Sequence, residues 1–186
     1  MKIVMLGAGQ VGGSVAHILA SEANDVTVVD ANAERLQALQ DRLDIRTVCG
    51  HAAYPGVLEQ AGVADADILI ALTDNDEVNM IACQVAHTLF NTPTKIARVR
   101  AGGYITYQDR LFSDQALPID VLISPEQLVT DYIRHIIEHP GSLQVLDFAD
   151  DQVRLMGVKA YEGSTLVGQA LRTLPEHMPG IDARVA

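Results

Sequence analysis

Positive charge is scarce in this sequence. Thirteen lysines and arginines stand against 24 aspartates and glutamates, a formal charge of −11. A general nucleic-acid or anionic-membrane surface needs clustered cations to neutralise phosphate, so both are excluded as broad functions. No apolar run reaches the roughly 18 residues needed to span a bilayer. Lys2 enters a strand at once, without a basic leader or cleavage signal ahead of it, and the expectation is a soluble, cytoplasmic chain. Only two cysteines occur, Cys49 and Cys83, each isolated in an apolar segment. They read as buried small hydrophobes rather than as a disulfide or a nucleophile.

Catalytic motifs are missing too. There is no Tyr-xxx-Lys pair, no HExxH and no paired cysteine cluster. Of the histidines, His17 and His87 fall in helical patterns and His135 and His139 in a later helix. None, His51 and His177 included, belongs to a strand-end motif with a third group to orient it. The expectation is that the chain is not an enzyme.

What remains is a regular alternation. Hydrophobic residues make up 48% of the chain and charged residues 20%, the balance of a packed globular protein. Short apolar runs predict strands at 2–6, 26–30, 45–49, 67–71, 95–100 and 120–123. Amphipathic patterns predict helices at 11–21, 33–42, 55–60 and 78–89. Strands this apolar belong in a sheet covered on both faces. The pattern gives a doubly wound parallel α/β sheet, Rossmann-like, over residues 1–124.

Ser124 and Pro125 then open a further helix, running to about His139 and linking at 125–142. Leu128, Val129, Tyr132, Ile133, Ile136 and Ile137 form its apolar stripe, which packs on the first domain or on a partner subunit. From 143 to 186 the texture is α+β: two alternating strands joined at Asp150-Asp151, a short helix from Gly163, and the opening of a strand at Ile181. The expectation is a small second domain that is begun but incomplete.

Within the first strand–helix unit stands "LGAGQVGG". Gly7, Gly9 and Gly12 follow a strand and open a helix, the context in which GxGxxG binds a dinucleotide. Gly7 permits the turn, Gly9 lets a pyrophosphate approach, and Gly12 allows helix and strand to touch. The helix N-terminus supplies N–H groups and positive dipole, without any cation. Asp30 ends the second strand 23 positions after Gly7, where a carboxylate meets the ribose hydroxyls and repels a 2′-phosphate. The lesser reading is a cap on the following turn, with Asn32 capping the next helix. Arg98 and Arg100 share one side of the fifth strand, and either reads as a phosphate ligand or as an ion-pair partner. Thr73 and Asp74 follow the fourth strand as nucleoside contacts, unless Asp74 or Asn75 only caps the helix. His51, after the third, reads as an adenine contact or as a solvated loop histidine.

These segments, with "GHAAYPGVLEQAGVADADILIALTDNDEVNMIACQVA", "KIARVR" and "IDVLISPEQLV", together resemble the RCK, or KTN, domain family. The resemblance covers essentially the whole chain. It implies a regulatory subunit, peripheral on the inner face of the membrane, that assembles from dimers into a ring beneath a potassium-translocating membrane subunit of the TrkH/TrkG type. NAD(H), or ATP and ADP, would bind and gate ion flux. By position, the implied contacts are Gly7, Ala8, Gly9, Gln10, Val11 and Gly12 at the turn, Asp30 at the ribose, Thr73 and Asp74 at the nucleoside, and Arg98 at phosphate. Many members carry an acidic residue where His51 stands. The reading set against this one is the nucleotide-binding half of an NAD-dependent oxidoreductase.

Overall fold

The computed structural model describes residues 1–148, 152–163 and 167–168. A first compact unit spans Met1–Glu126 and a second begins at Gln127. The expected turn at Asp150-Asp151, the short helix from Gly163 and the strand from Ile181 lie, in whole or in their greater part, outside the described residues.

In the first unit, six strands form one parallel sheet: β1 (Lys2–Leu6), β2 (Asp25–Asp30), β3 (Arg46–Cys49), β4 (Ile68–Ala71), β5 (Thr94–Arg98) and β6 (Val121–Ile123). Their order is β3-β2-β1-β4-β5-β6. The sheet reverses its winding between β1 and β4, so a crevice opens beyond the carboxyl ends of these two strands. Four residues of β1 are buried because both faces are covered. Ile3 and Met5 pack with Ala16, Leu36 and Leu39 from α1 (Gln10–Ser21) and α2 (Ala33–Gln40). Val4 and Leu6 point the other way, into a cluster with Leu58 of α3 (Pro55–Gln60) and Met80, Cys83 and Ala86 of α4 (Asp76–Phe90). This period-two division of one strand between two cores is what fixes helices on both sides.

Three expectations are corrected. The fifth strand stops at Arg98 rather than Arg100, because the N–H groups of Arg100 and Ala101 leave the ladder for the Asp76 carboxylate, at 2.9 and 2.8 Å. Residues 102–111, for which the pattern predicts no element, form two short helices, α5 (Gly102–Thr106) and α6 (Gln108–Leu111). Two leading glycines and a length of about one turn leave no amphipathic signal to read. Cys49 is exposed, not buried, since β3 is an edge strand with little to cover its end.

Lys95 is buried in β5 and needs a partner there. Its Nζ lies 2.9 Å from Asp120 Oδ2 and also donates to the Thr92 carbonyl. The same Asp120 oxygen accepts the Lys95 N–H at 2.6 Å, tying the entry of β6 to β5.

α7 (Pro125–Glu138) matches the expected helix and leaves its apolar stripe exposed, with Ile133 at 50% and Ile137 at 72%. In the second unit β7 (Ser142–Phe148) and β8 (Val153–Val158) pair antiparallel. Asp147 Oδ1 accepts from Arg154 Nε at 2.5 Å, and Asp147 Oδ2 lies 3.3 Å from His135 Nε2. The Arg154 hydrogen bond holds the Asp147 carboxyl below its ordinary range.

Burial pushes the Cys83 thiol up to about 12, against the smaller pull of Lys95. At pH 8 it is therefore un-ionised as well as covered. A thiol-exchange reagent should titrate Cys49 alone in the native chain and both cysteines in denaturant, read by absorbance.

Candidate functional site

Close backbone contact shapes the glycine turn. Gly7 has a φ of +104°, and its N–H donates to the Val29 carbonyl at 2.8 Å. A Cβ on Gly12 would sit 1.9 Å from the Gly7 carbonyl oxygen, so α1 approaches β1 more closely than any side chain permits. Gly9 differs: a Cβ there would meet nothing within 4 Å. Its missing side chain leaves open space in front of the turn. α1 has no side-chain N-cap and no acidic residue in its first turn. Its N-terminal N–H groups and dipole thus face the opening without an internal anion.

Asp30 serves the turn as well as the rim. Its Oδ2 accepts the Ala8 N–H at 2.6 Å and its Oδ1 the Asn32 N–H at 2.8 Å. Asn32 in turn caps α2, accepting from the N–H groups of Glu34 and Arg35. Each Asp30 oxygen keeps a further lone pair for a hydroxyl donor.

A cleft of about 1080 Å³ lies over these strand ends. Gly7, Gly9, Gln10, Val11, Gly12, Asp30, His51, Thr73, Asp74 and Arg98 all line it. Ala8 is the exception among the expected residues: it is buried and absent from the lining, its N–H given to Asp30. Glu34, Arg35 and Val78 also line the cleft, unanticipated from sequence. The His51 ring lies 4.5 Å from that of Tyr54, and its Nδ1 accepts the Ala53 N–H at 3.3 Å.

The two arginines expected on one side of β5 have separate fates. Arg100 donates to the Asp74 carbonyl, and its Nε lies 3.8 Å from Asp76 Oδ1. It is an internal ion pair. Arg98 lines the cleft, has no carboxylate partner among the described residues, and buries its Nε–H without an acceptor. A buried donor left unpaired costs about 1–3 kcal/mol, a cost that an anion in the cleft would relieve. Asp76 does not offer its charge to the opening, since it holds the backbone at Arg100 and Ala101. Its neighbour Glu77 accepts from the Tyr104 hydroxyl at 2.9 Å, which raises that phenol above its ordinary range.

Asn79 is the organising residue that sequence reasoning missed. It is fully buried. Its Oδ1 accepts from the Thr73 N–H at 3.0 Å and the Thr73 hydroxyl at 2.6 Å. Its Nδ2 donates to the carbonyls of Thr73 and Arg98 at 3.2 and 2.9 Å. One amide therefore fixes two lips of the cleft relative to each other. The legible signal is a polar residue among Met80, Cys83 and Ala86 on the buried face of α4. Asn75, not Asp74, caps this helix through the Val78 N–H. Among the described residues no three metal-ligating side chains converge, and no helix is long and apolar enough to cross a membrane.

The family model for the TrkA-N domain matches residues 3–125. The chain belongs to the TrkA-N domain family. It is 66% identical, over all 186 of its residues, to the Trk system potassium uptake protein TrkA of Halomonas elongata. It spans about two fifths of the length of the curated relatives it matches. Among solved structures, the TrkA-N domain of inner membrane protein ybaL from Escherichia coli superposes with a TM-score of 0.62 at 20% identity, covering 74% of this chain and 94% of that one. The GsuK channel bound to NAD gives 0.61 at 20%, covering 80% and 25%. At this identity the two likenesses speak for the shared fold alone.

Replacing Asn79 with Leu deprives the Thr73 N–H and the Arg98 carbonyl of their partner, at a cost of about 3 kcal/mol. Urea unfolding measures this directly; a loss below about 1 kcal/mol would contradict the hydrogen bonds assigned to Asn79.

Proposed function

We propose that this chain is the nucleotide-sensing part of a bacterial potassium uptake system, holding NAD(H) in the cleft over β1 and β4 and assigned no reaction of its own. Residues 1–124 form the nucleotide-binding domain, 125–142 the crossover helix, and 143 onward the start of a small second domain. The observation that carries the reading is the convergence, on one cleft, of an uncapped helix N-terminus, the Asp30 carboxylate and an arginine with a buried, unpaired N–H. Diphosphate needs the first and third; ribose hydroxyls need the second. Thr73 and Asp74 border the nucleoside, and His51 offers a ring to adenine.

The high identity to a potassium uptake protein supports the transport context, and NAD in a neighbour of the same fold supports the ligand class. The partner is a potassium-translocating membrane subunit, met from the inner face of the membrane by a ring built from dimers. A bound nucleotide acts on such a ring only by as much as its affinities for two ring states differ, commonly about 1–3 kcal/mol. ADP and ATP share the adenosine and two phosphates and compete for the same groups.

Calorimetric titration with NADH, NAD, ADP and ATP tests the site. Arg98→Ala should weaken binding about tenfold or more, the loss of one charge-assisted hydrogen bond. Tighter binding of ADP or ATP than of NADH would make the chain an adenylate sensor. No binding by any of them would overturn the reading.

The exposed stripe of α7 is proposed as the dimer contact. Charging Ile133 and Ile136 together with glutamate should give monomers that still bind nucleotide, as measured by light scattering. Unchanged dimer mass would remove α7 from the interface.

A further inference from the structure

Asn79 stands where the pairing of two strands runs out. The ladder between β4 and β5 ends at the Ala71–Ala97 pair. Beyond that rung the Thr73 N–H and the Arg98 carbonyl both bond to the Asn79 side chain, at 3.0 and 2.9 Å. A side-chain amide carries the donor and the acceptor of a peptide group, and here it supplies what one more strand residue would have supplied. It reaches this place from α4, is fully buried, and is absent from the cleft lining.

The two residues joined by this added rung both line the cleft. Thr73 turns its donors inward: its hydroxyl reaches Asn79 Oδ1 at 2.6 Å, and its carbonyl takes Asn79 Nδ2 at 3.2 Å. The residues after Arg98 have ties of their own, the Val99 N–H to the Ile123 carbonyl at 2.9 Å and the Arg100 N–H to Asp76. The Arg98 carbonyl rests on Asn79, while the buried Nε–H of the same residue lacks an acceptor. A guanidinium binds an anion only within hydrogen-bonding distance and angle, so a shift at its backbone is felt at its tip.

We propose that Asn79 is the positioning residue of the nucleotide cleft. Its amide continues the β4–β5 pairing past the last rung and sets Arg98 against the Thr73 lip, so the affinity that Arg98 contributes toward a diphosphate depends on Asn79. The inference rests on the nucleotide reading given above, in which Arg98 meets phosphate.

Calorimetric titration with NADH reads it as a double-mutant cycle on the full chain: unaltered, Arg98→Ala, Asn79→Ser and the pair. In the unaltered chain Arg98→Ala should weaken binding about tenfold or more. In the Asn79→Ser background the same change should cost about twofold or less, because the arginine is already out of place. Val63→Ala is the comparison. Val63 is buried just ahead of the amino end of β4, the end away from the cleft, so its truncation lowers stability without touching the added rung. There Arg98→Ala should keep its cost of about tenfold.

An equal cost of Arg98→Ala with and without Asn79 overturns the inference and leaves nucleotide binding standing. A cost that shrinks as much in Val63→Ala does the same, since lost stability would then be the cause. If Asn79→Ser lacks a cooperative thermal transition, nuclear magnetic resonance of chains that keep Asn79 decides. Its side-chain amide signals should move on saturation with NADH, and much less in Arg98→Ala. Signals that stay in place, or move as far without Arg98, overturn the inference. Where the unaltered chain takes adenylates only, ADP replaces NADH throughout. Binding of no nucleotide by the unaltered chain sinks the functional reading and this inference together.

Discussion

The contact between the first helix and the first turn is the constraint on which the rest depends. Gly12 sits where a Cβ would fall 1.9 Å from the Gly7 carbonyl oxygen, and Gly7 turns at a φ of +104° with the Leu72 carbonyl close behind it. These two positions bring the start of α1 down onto the end of β1. Only then does the helix N-terminus open onto the crevice between β1 and β4 instead of being lifted away by side chains. Gly9 stands apart, since nothing in the protein fills the space a Cβ there would enter. Two glycines build the turn, and the third keeps its front clear.

Around that turn, polar side chains are spent on positioning and the cleft keeps only a few charges. Asp30 ties Ala8 to Asn32, Asp76 holds the backbone after β5, and Asn79 fixes Thr73 against Arg98. Each is a polar side chain whose bonds run mainly to backbone, which the buried Asp76 and Asn79 require. An acidic chain could easily have neutralised Arg98 in the cleft. Instead Asp76 is turned to Arg100 and the main chain.

Much of this was legible in the residue order. The unbroken apolar strands forced a doubly covered parallel sheet, and the glycines followed by Asp30 placed the cleft where the structure has it. What could not be read were features whose cause is tertiary. The end of β5 depends on Asp76, 24 positions back from Arg100, competing for N–H groups that a strand would have used. The separation of Arg98 from Arg100 follows from that same competition, because period-two alternation treats them alike. Asn79 looks like one polar residue in an amphipathic helix until its four bonds are seen. Cys49 depends on strand order: an edge strand exposes what a central one would bury.

The distribution of charge gives the last step. A site that recognises one small anion in a strongly acidic protein cannot rely on a general field, which here repels. It must rely on short-range donors whose geometry is held fixed, and these fall off steeply outside hydrogen-bonding distance. The uncapped start of α1 and the unpaired Arg98 are such donors, and the Thr73–Asn79–Arg98 bonds hold Arg98 in register with Thr73 on the other lip. On the proposed reading, selectivity then resides in how few positions accept negative charge, with the Asp30 carboxylate held on the rim by the Ala8 and Asn32 N–H groups.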